Sequence, residues 1–369
     1  MLAVPQGTFT LQRAHHDPGQ PLRAWDAADE LVLTHLAETG ASGDRWLLVG
    51  DAHGALATAL ASRRPTSWTD SVVTMAATRA NLERNDMDPD VVELVPSTSA
   101  PAGPVDVVVV KVPRTLAVLE DQLRRLRPLL HEGSVVVGAG MTKDVHRSTI
   151  AAFEGVVGPT PTSLARKKAR LLLPTVDPSL EPGPGPGPLR WATSEGIQVI
   201  GLPGVFSASG LDAGTRLLLA HLPDVEEGST VVDLGCGTGV VAATVARRHP
   251  DAALVCCDES FQAVAAARQT VGAVSATARF HATDVLDDVA DASADAVLCN
   301  PPFHAGGART SSVAQRMFAE SQRVLRPGGT LTVVGNRHLG HHVTLRRWFH
   351  DVTVVGSDPR FVVLRGRRS

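Results

Sequence analysis

The chain has 369 residues, 43% of them hydrophobic and 20% charged, and its 35 Lys and Arg against 38 Asp and Glu leave a net charge of −3. That length is about two ordinary domains, and the balance of apolar and charged residues excludes a disordered, fibrous or small disulfide-bonded chain. A near-neutral total gives no bulk electrostatic sign of a nucleic-acid partner, and purely apolar stretches such as Val107 to Val110 and Val135 to Val137, far below the roughly 18 residues a span needs, predict no membrane span.

The opening residues, MLAVPQGTFTLQRAHH, lack the basic, apolar and small-residue order of a secretory signal, so a cytoplasmic protein is expected. Further on, short β-branched runs alternate with alanine-rich amphipathic segments. A basic cluster follows at Arg166, Lys167, Lys168 and Arg170, with no acid nearby in the sequence. Pro174 to Arg190, PTVDPSLEPGPGPGPLR, is too rich in Pro and Gly for a helix or central strand and reads as an extended linker.

The linker divides two similar halves. At an offset of 185, Gly50, Gly54 and Pro65 fall on Gly235, Gly239 and Pro250. At 189, Ser71, Ala76, Ala77, Arg79 and Asp106 fall on Ser260, Ala265, Ala266, Arg268 and Asp295, and at 199 Leu126 to Pro128 fall on Leu325 to Pro327. Ordered matches with small gaps predict a duplication, with about ten residues gained in the second copy after Pro302. In that copy TVVDLG, ALVCCD, DAVLCN and TLTVVGN read as strands, while GVVAATVARRH and FQAVAAARQTV read as helices. This alternation predicts an α/β fold with a mostly parallel sheet covered on both faces. A helix is expected around Leu345 to Phe349. DVTVVGS and RFVVLRGR are separated too briefly for a crossover, which predicts an antiparallel edge strand.

The four cysteines, Cys236, Cys256, Cys257 and Cys299, lie in the second half without CxxC spacing, which predicts reduced thiols and no metal site. After Glu320, nine arginines from Arg323 to Arg368 face only Asp351 and Asp358. Together with the first basic cluster they are candidate phosphate contacts, Arg365, Arg367 and Arg368 included.

The chemistry concentrates at predicted strand ends of the second half. Asp233-Leu-Gly-Cys-Gly-Thr-Gly239 sets three glycines in G-x-G-x-G spacing, where backbone can approach a ligand closely. A dinucleotide fingerprint would read G-x-G-x-x-G, and the P-loop lysine is missing. Asp258, 19 residues beyond Gly239, is placed for a ribose diol, and Asp284 in FHATDVL for an adenine amine. These residues resemble class I S-adenosyl-L-methionine-dependent methyltransferases. The resemblance implies Rossmann-like domains, with Asp233, Gly235, Cys236, Gly237 and Gly239 at the methionine portion of the cofactor. It further implies Asp258 and Glu259 at the ribose, Asp284 and Val285 at the adenine, and Asn300 at the edge of the site.

Asn300-Pro-Pro-Phe303 follows the strand DAVLCN. The Asn300 side-chain oxygen and the Pro301 carbonyl can accept the two protons of a planar amine and aim its lone pair at a methyl group. Pro302 stiffens the turn, and Phe303 can stack on the ring. The motif resembles that of methyltransferases acting on exocyclic base amines or glutamine amides, so it names an amine and not a base. His304 and Arg309, in the segment gained by the second copy, are candidate substrate contacts. The first half carries Leu48 for Asp233, Ala52 for Gly237 and Lys111-Val-Pro113 for Asn300-Pro-Pro, so it is expected neither to hold cofactor nor to catalyse.

The whole pattern resembles bacterial two-domain ribosomal-RNA guanine-N2 methyltransferases of either ribosomal subunit. Beyond NPPFH, AWDAADE (Ala24 to Glu30), PGVFSASGLDAGTRLLL (Pro203 to Leu219) and DES (Asp258 to Ser260) carry the resemblance. It implies Phe206 and Asp212 in the cofactor pocket, and ribosomal RNA or a ribosomal subunit as partner. It also implies a degenerate recognition domain over 1–173, a linker over 174–190 and a catalytic domain over 191–369. A protein-glutamine methyltransferase and a non-catalytic RNA-binding protein retaining the cofactor remain the rival classes.

Overall fold

The computed structural model describes residues 1–15, 22–185, 187–302 and 308–369, with side chains in the last stretch described from 312. The chain forms two compact units, Met1–Gly187 and Pro188–Ser369. In the first, a hairpin of β1 (Leu2–Val4) and β2 (Gly7–Phe9) precedes α1 (Ala27–Glu38) and β3 (Trp46–Val49). Next come α2 (Ala55–Ala59), β4 (Thr66–Thr69), α3 (Val72–Arg84), β5 (Glu93–Pro96) and β6 (Val105–Lys111). The unit continues through α4 (Leu116–Leu126), β7 (Leu130–Met141), α5 (Arg147–Val156) and β8 (Ala169–Leu172). The sheet runs β5-β4-β3-β6-β7-β8, parallel except for the antiparallel margin β8. Both faces are covered, as the unbroken valine run of β6 requires: Val107 and Val109 pack with α1 and α2, and Val108 and Val110 with α4 and α5.

The second unit opens with the hairpin β9 (Leu189–Ala192) and β10 (Gln198–Gly201), then α6 (Ala213–Leu219), β11 (Thr230–Leu234), α7 (Val240–Arg248) and β12 (Ala253–Asp258). After these come α8 (Phe261–Gly272), β13 (Arg279–Ala282), β14 (Ala294–Cys299), α9 (Ala308–Val324) and β15 (Leu325–Asn336). Helix α10 (His341–Leu345) and strands β16 (His350–Ser357) and β17 (Phe361–Arg367) complete it. The sheet order is β13-β12-β11-β14-β15-β17-β16. Alternation sends Val231, Leu254 and Leu298 to the face covered by α7 and α8, and Val232, Val255 and Val297 to the face covered by α9.

Several expectations change here. The expected antiparallel pair forms, β16 against β17 with β16 at the margin, but β17, the strand that runs against the sheet, lies inside, paired with β15 as well. Val363 and Leu364 of β17 are buried, whereas β16 has no buried residue, so the more apolar member takes the inner place. Helix α10 ends at Leu345, where the helix was expected to begin. Residues 174–180 are laid onto the first unit, with Val176 in its core, Thr175 N–H donating to Pro159 O at 3.0 Å and Arg127 donating to Asp177 O at 2.7 Å. Arg190 already lies in β9.

The first basic cluster is the tip of a hairpin closed by reciprocal bonds between Arg166 and Ala169, with Lys167 and Lys168 both at positive φ (49° and 63°). It does have an acid beside it, since Lys167 Nζ lies 2.7 Å from Glu30 Oε2. Arg166 and Lys168 are exposed. The C-terminal arginines are largely used inside the fold. Arg365 donates to Thr332 Oγ1 and His221 O, Arg368 to the carbonyls of Arg323 and Leu325, and Arg323 pairs with Glu320 and Asp291. Arg365 and Arg368 thus spend part of their donor sets on protein acceptors and are tied into the fold, unlike the free patch expected from the sequence. No helix among the described residues is long and apolar enough to cross a membrane.

Candidate active site

Strand β11 ends against a turn that only glycine makes without strain: Gly235, Gly237 and Gly239 have φ of 74°, 51° and 76°. A Cβ at Gly239 would stand 2.8 Å from the Ala267 Cα, so the turn presses directly on α8. Gly239 caps α7 and has no side chain to satisfy the helix's third amide. Asp233 supplies that acceptor, its Oδ2 lying 3.0 Å from Ala242 N. Burial, aided by the charge of Asp258, pushes the Asp233 carboxyl up to about 7. Cys236 is buried in the same turn, and its thiol is pushed well up by that burial, so it lines the turn as a neutral group. All four cysteines are free and buried, and Cys257 is pushed up to about 12 by burial.

The end of β12 meets this turn. Asp258 Oδ2 accepts from Gly237 N at 3.0 Å and Oδ1 from Ser260 N at 3.0 Å, which fixes the carboxylate beside the glycines. Glu259 is exposed next to it. The segment bearing Phe206 passes the same turn: a Cβ on Gly237 would lie 3.7 Å from Phe206 O. Its neighbour Val205 packs on Ala263 and Ala266 of α8, while Phe206 itself is 52% exposed, an apolar ring left facing outward at the site. Asp284 lies two residues past β13 and is paired with Arg316 at 2.8 Å. Val285 follows at φ 55°, a conformation that costs a β-branched residue about 1–3 kcal/mol and clusters at functional sites.

The end of β14 carries Asn300 and the buried Pro301, with Pro302 exposed. Asn300 Nδ2 donates to Thr215 Oγ1 at 2.8 Å, and Asn300 Oδ1 is buried with no hydrogen-bond partner among the described residues. Asp212 caps α6, accepting from Thr215 N at 3.0 Å, so it acts on Thr215. Phe303 and His304 lie outside the described residues, as does the side chain of Arg309, whose backbone is in α9. The structure thus brings Asp233, the three glycines, Cys236, Asp258 and Phe206 around one turn. Asn300 stands at the adjoining strand end, and Asp284 with Val285 beyond the outer strand. Thr215 was not anticipated; aligning AWDAADE with GLDAGTR at an offset of 186, Asp26 on Asp212 and Asp29 on Thr215, would have drawn attention to it.

The corresponding corner of the first unit is built differently. Lys111, at the end of β6, lies 2.5 Å from Asp29 Oδ1 and 3.0 Å from Asp26 Oδ1. Burial presses the Lys111 ammonium towards neutrality, but Asp29 and Asp26 outweigh it and hold its pKa above the ordinary value. Asp51 accepts from Ala55 N and Ala57 N, and burial together with Asp29 pushes its carboxyl up to about 7. A cation already neutralised by two acids offers no acceptor to an amine. Among the described residues of either unit, no group of three or more His, Cys, Asp or Glu is arranged to hold a metal.

Comparison with known proteins agrees with this geometry. Residues 1–178 match the RLMG N-terminal domain and residues 196–365 the methyltransferase small domain. Fold, site and these matches together define a methyltransferase. Ribosomal RNA large subunit methyltransferase G of Streptomyces avermitilis is 50% identical, over 99% of this chain and 98% of its own. The protein of that name from Ectopseudomonas mendocina is 42% identical over the full length of both. The chain belongs to the ribosomal RNA large subunit methyltransferase G family. Among solved structures, the T. thermophilus 16S rRNA N2 guanosine methyltransferase RsmC, in complex with AdoMet and guanosine, superposes with a TM-score of 0.75 at 25% identity, over 89% of each chain.

Proposed function

We propose that this protein transfers a methyl group from S-adenosyl-L-methionine to the exocyclic N2 amine of a guanine in ribosomal RNA, in the cytoplasm. The observation that carries the reading is Asn300 Oδ1, a buried acceptor without a partner among the described residues, held at the strand end beside the glycine turn. The relatives' names and the ligands of the RsmC structure supply the substrate class. The glycine turn fits the cofactor because its backbone is bare at Gly235 and Gly237, where a Cβ would meet no protein atom closer than 3.6 Å, and so is open to a ligand. Asp233, Gly235, Cys236, Gly237 and Gly239 would hold the methionine portion, with Phe206 over it. Asp258 and Glu259 would hold the ribose, and Asp284, positioned by Arg316, and Val285 the adenine. When bound, the cofactor supplies a sulfonium methyl group whose bonding electrons leave with sulfur.

The chain's own contribution is placement. Asn300 Oδ1 and the Pro301 carbonyl accept the two amine protons, which frees the nitrogen lone pair from the ring and points it along the transfer axis. Phe303 stacks on the base, His304 and Arg309 contact the substrate, and the surplus proton passes from nitrogen to water. Labelled S-adenosylmethionine offered with separate ribosomal subunits, released proteins and naked RNA tests this reading. Label in RNA supports it, whereas label in protein or cofactor binding without transfer rejects it.

Two finer readings belong with this proposal. The two units, Met1–Gly187 and Pro188–Ser369, are Rossmann-like copies of one duplicated domain. Supporting this, each sheet places its first long strand between a second and a fourth in the same order, and Gly54 and Gly239 each cap a helix against the next one. The first copy serves recognition, and its hairpin tip is the basic surface offered to RNA. Reversing Arg166 and Lys168 to Glu should weaken RNA binding and flatten the slope of log K against log salt by about 0.9 for each phosphate no longer neutralised. Arg365→Glu should instead lower stability by about 2 kcal/mol, because a carboxylate would face the carbonyl that Arg365 now satisfies. Filter binding at several salt concentrations and thermal melts separate the two; an unchanged slope in the hairpin variant removes the tip from the interface.

Asp233 adds a pH signature. Its carboxyl, raised to about 7, is mostly protonated below that pH. The cofactor's ammonium favours the carboxylate, so binding releases a proton there. Cofactor affinity should therefore rise by up to about tenfold per unit from about pH 5.5 to 7 and then level off. Calorimetry on the parent and on Asp233→Asn checks it, and equal profiles would exclude Asp233 as the titrating group.

A further inference from the structure

We infer that Thr215 is a positioning residue for methyl transfer, fixing which end of the Asn300 carboxamide faces the substrate amine. The inference rests on the proposed amine transfer and deepens it. A carboxamide is nearly symmetric in shape, but its ends are opposite in chemistry: the oxygen accepts and the NH2 donates. Turned the wrong way, Asn300 would present hydrogens to the hydrogens of the substrate amine, and transfer would lose its acceptor. Something in the protein has to set the orientation.

Thr215 is the residue placed to do so. It is 5% exposed at the third position of α6, and its backbone N–H is fixed by the Asp212 carboxylate. Its hydroxyl oxygen, 2.8 Å from Asn300 Nδ2, takes one NH2 proton, and the Asn300 oxygen is thereby turned to the place left without a partner among the described residues. A hydroxyl could in principle donate as well as accept. The first unit shows the direction this corner uses. There, helix α1 is capped by Asp26, and its third residue, Asp29, takes the same kind of contact from Lys111 at the end of the strand beside β3. An ammonium cannot accept and the carboxylate facing it cannot donate, so that bond runs only from strand end to helix. In the second unit the same direction leaves Asn300 Oδ1 for the amine. In the first, Lys111 spends its donors on Asp26 and Asp29 and has no oxygen to offer.

The test compares Thr215→Val, which keeps the shape and removes the oxygen, with Thr215→Ser, which keeps the oxygen and removes the methyl. Thr215→Val should lose about tenfold or more in kcat, the worth of one orienting bond, with RNA KM and the cofactor Kd within about twofold of the parent. Thr215→Ser should retain kcat within about threefold. Equal loss in both variants, or a loss of cofactor affinity or melting temperature matching the loss of kcat, would overturn the inference by making Thr215 a packing residue. A Thr215→Val enzyme with parental kcat would overturn it as well. If the parent methylates protein instead of RNA, the proposed substrate fails while the comparison of kcat between variants still judges Thr215.

Discussion

Asn300→Ala should lower kcat by about 10²- to 10³-fold while leaving S-adenosylmethionine affinity within about threefold of the parent, the usual scale for removing one preorganised polar contact from a transition state. In the proposed reaction the side chain meets the amine through Oδ1, while Nδ2 is held by Thr215 and not by the glycine turn. Its loss leaves Thr215 Oγ1 without its donor, a stability effect of about 1 kcal/mol that a thermal melt would register. Single-turnover transfer to RNA gives the rate and calorimetry gives the Kd. A parallel fall in both would move Asn300 from the acceptor site to the cofactor site.

Asp258→Ala should do the reverse. The carboxylate ties Gly237 N and Ser260 N at the end of β12, between the turn and α8. Removing it releases the turn and takes away the acceptor proposed for the ribose diol. Charge-assisted hydrogen bonds of this kind contribute about 1.5–3 kcal/mol each, so cofactor affinity should fall by about 10²-fold. At saturating cofactor most of kcat should return, because the acceptor at Asn300 is untouched. Unchanged affinity in the variant would remove Asp258 from the cofactor site.

What was legible in the sequence is what a local run of residues decides. The glycine spacing, the acids at strand ends and the Pro-stiffened motif each carry their chemistry in a few adjacent positions, and period-2 and helical patterns located the strands of the second unit's large sheet together with α7 and α8. The remainder depends on which distant segments meet. Lys167 looked free of acids because Glu30 lies 137 residues away, and Thr215 meets Asn300 across 85 residues. The C-terminal arginines read as an exposed patch because net charge in a window does not reveal that Arg365 reaches His221 O and Arg368 the carbonyl of Leu325. The inner position of β17 likewise follows from relative burial of two strands, which neither strand's own alternation expresses.

The acid beneath each glycine-capped helix bears on how such chains are read. Asp233 binds the third amide of α7 from within the first strand, whereas Asp51 binds the third amide of α2 from the turn after it. A lobe without the acceptor asparagine has thus kept a carboxyl acceptor under the same helix nose, from a shifted sequence position. In both helices the open first turn takes an aspartate oxygen as its acceptor whether or not the lobe carries the acceptor asparagine, so such an aspartate is no proof of a working enzyme.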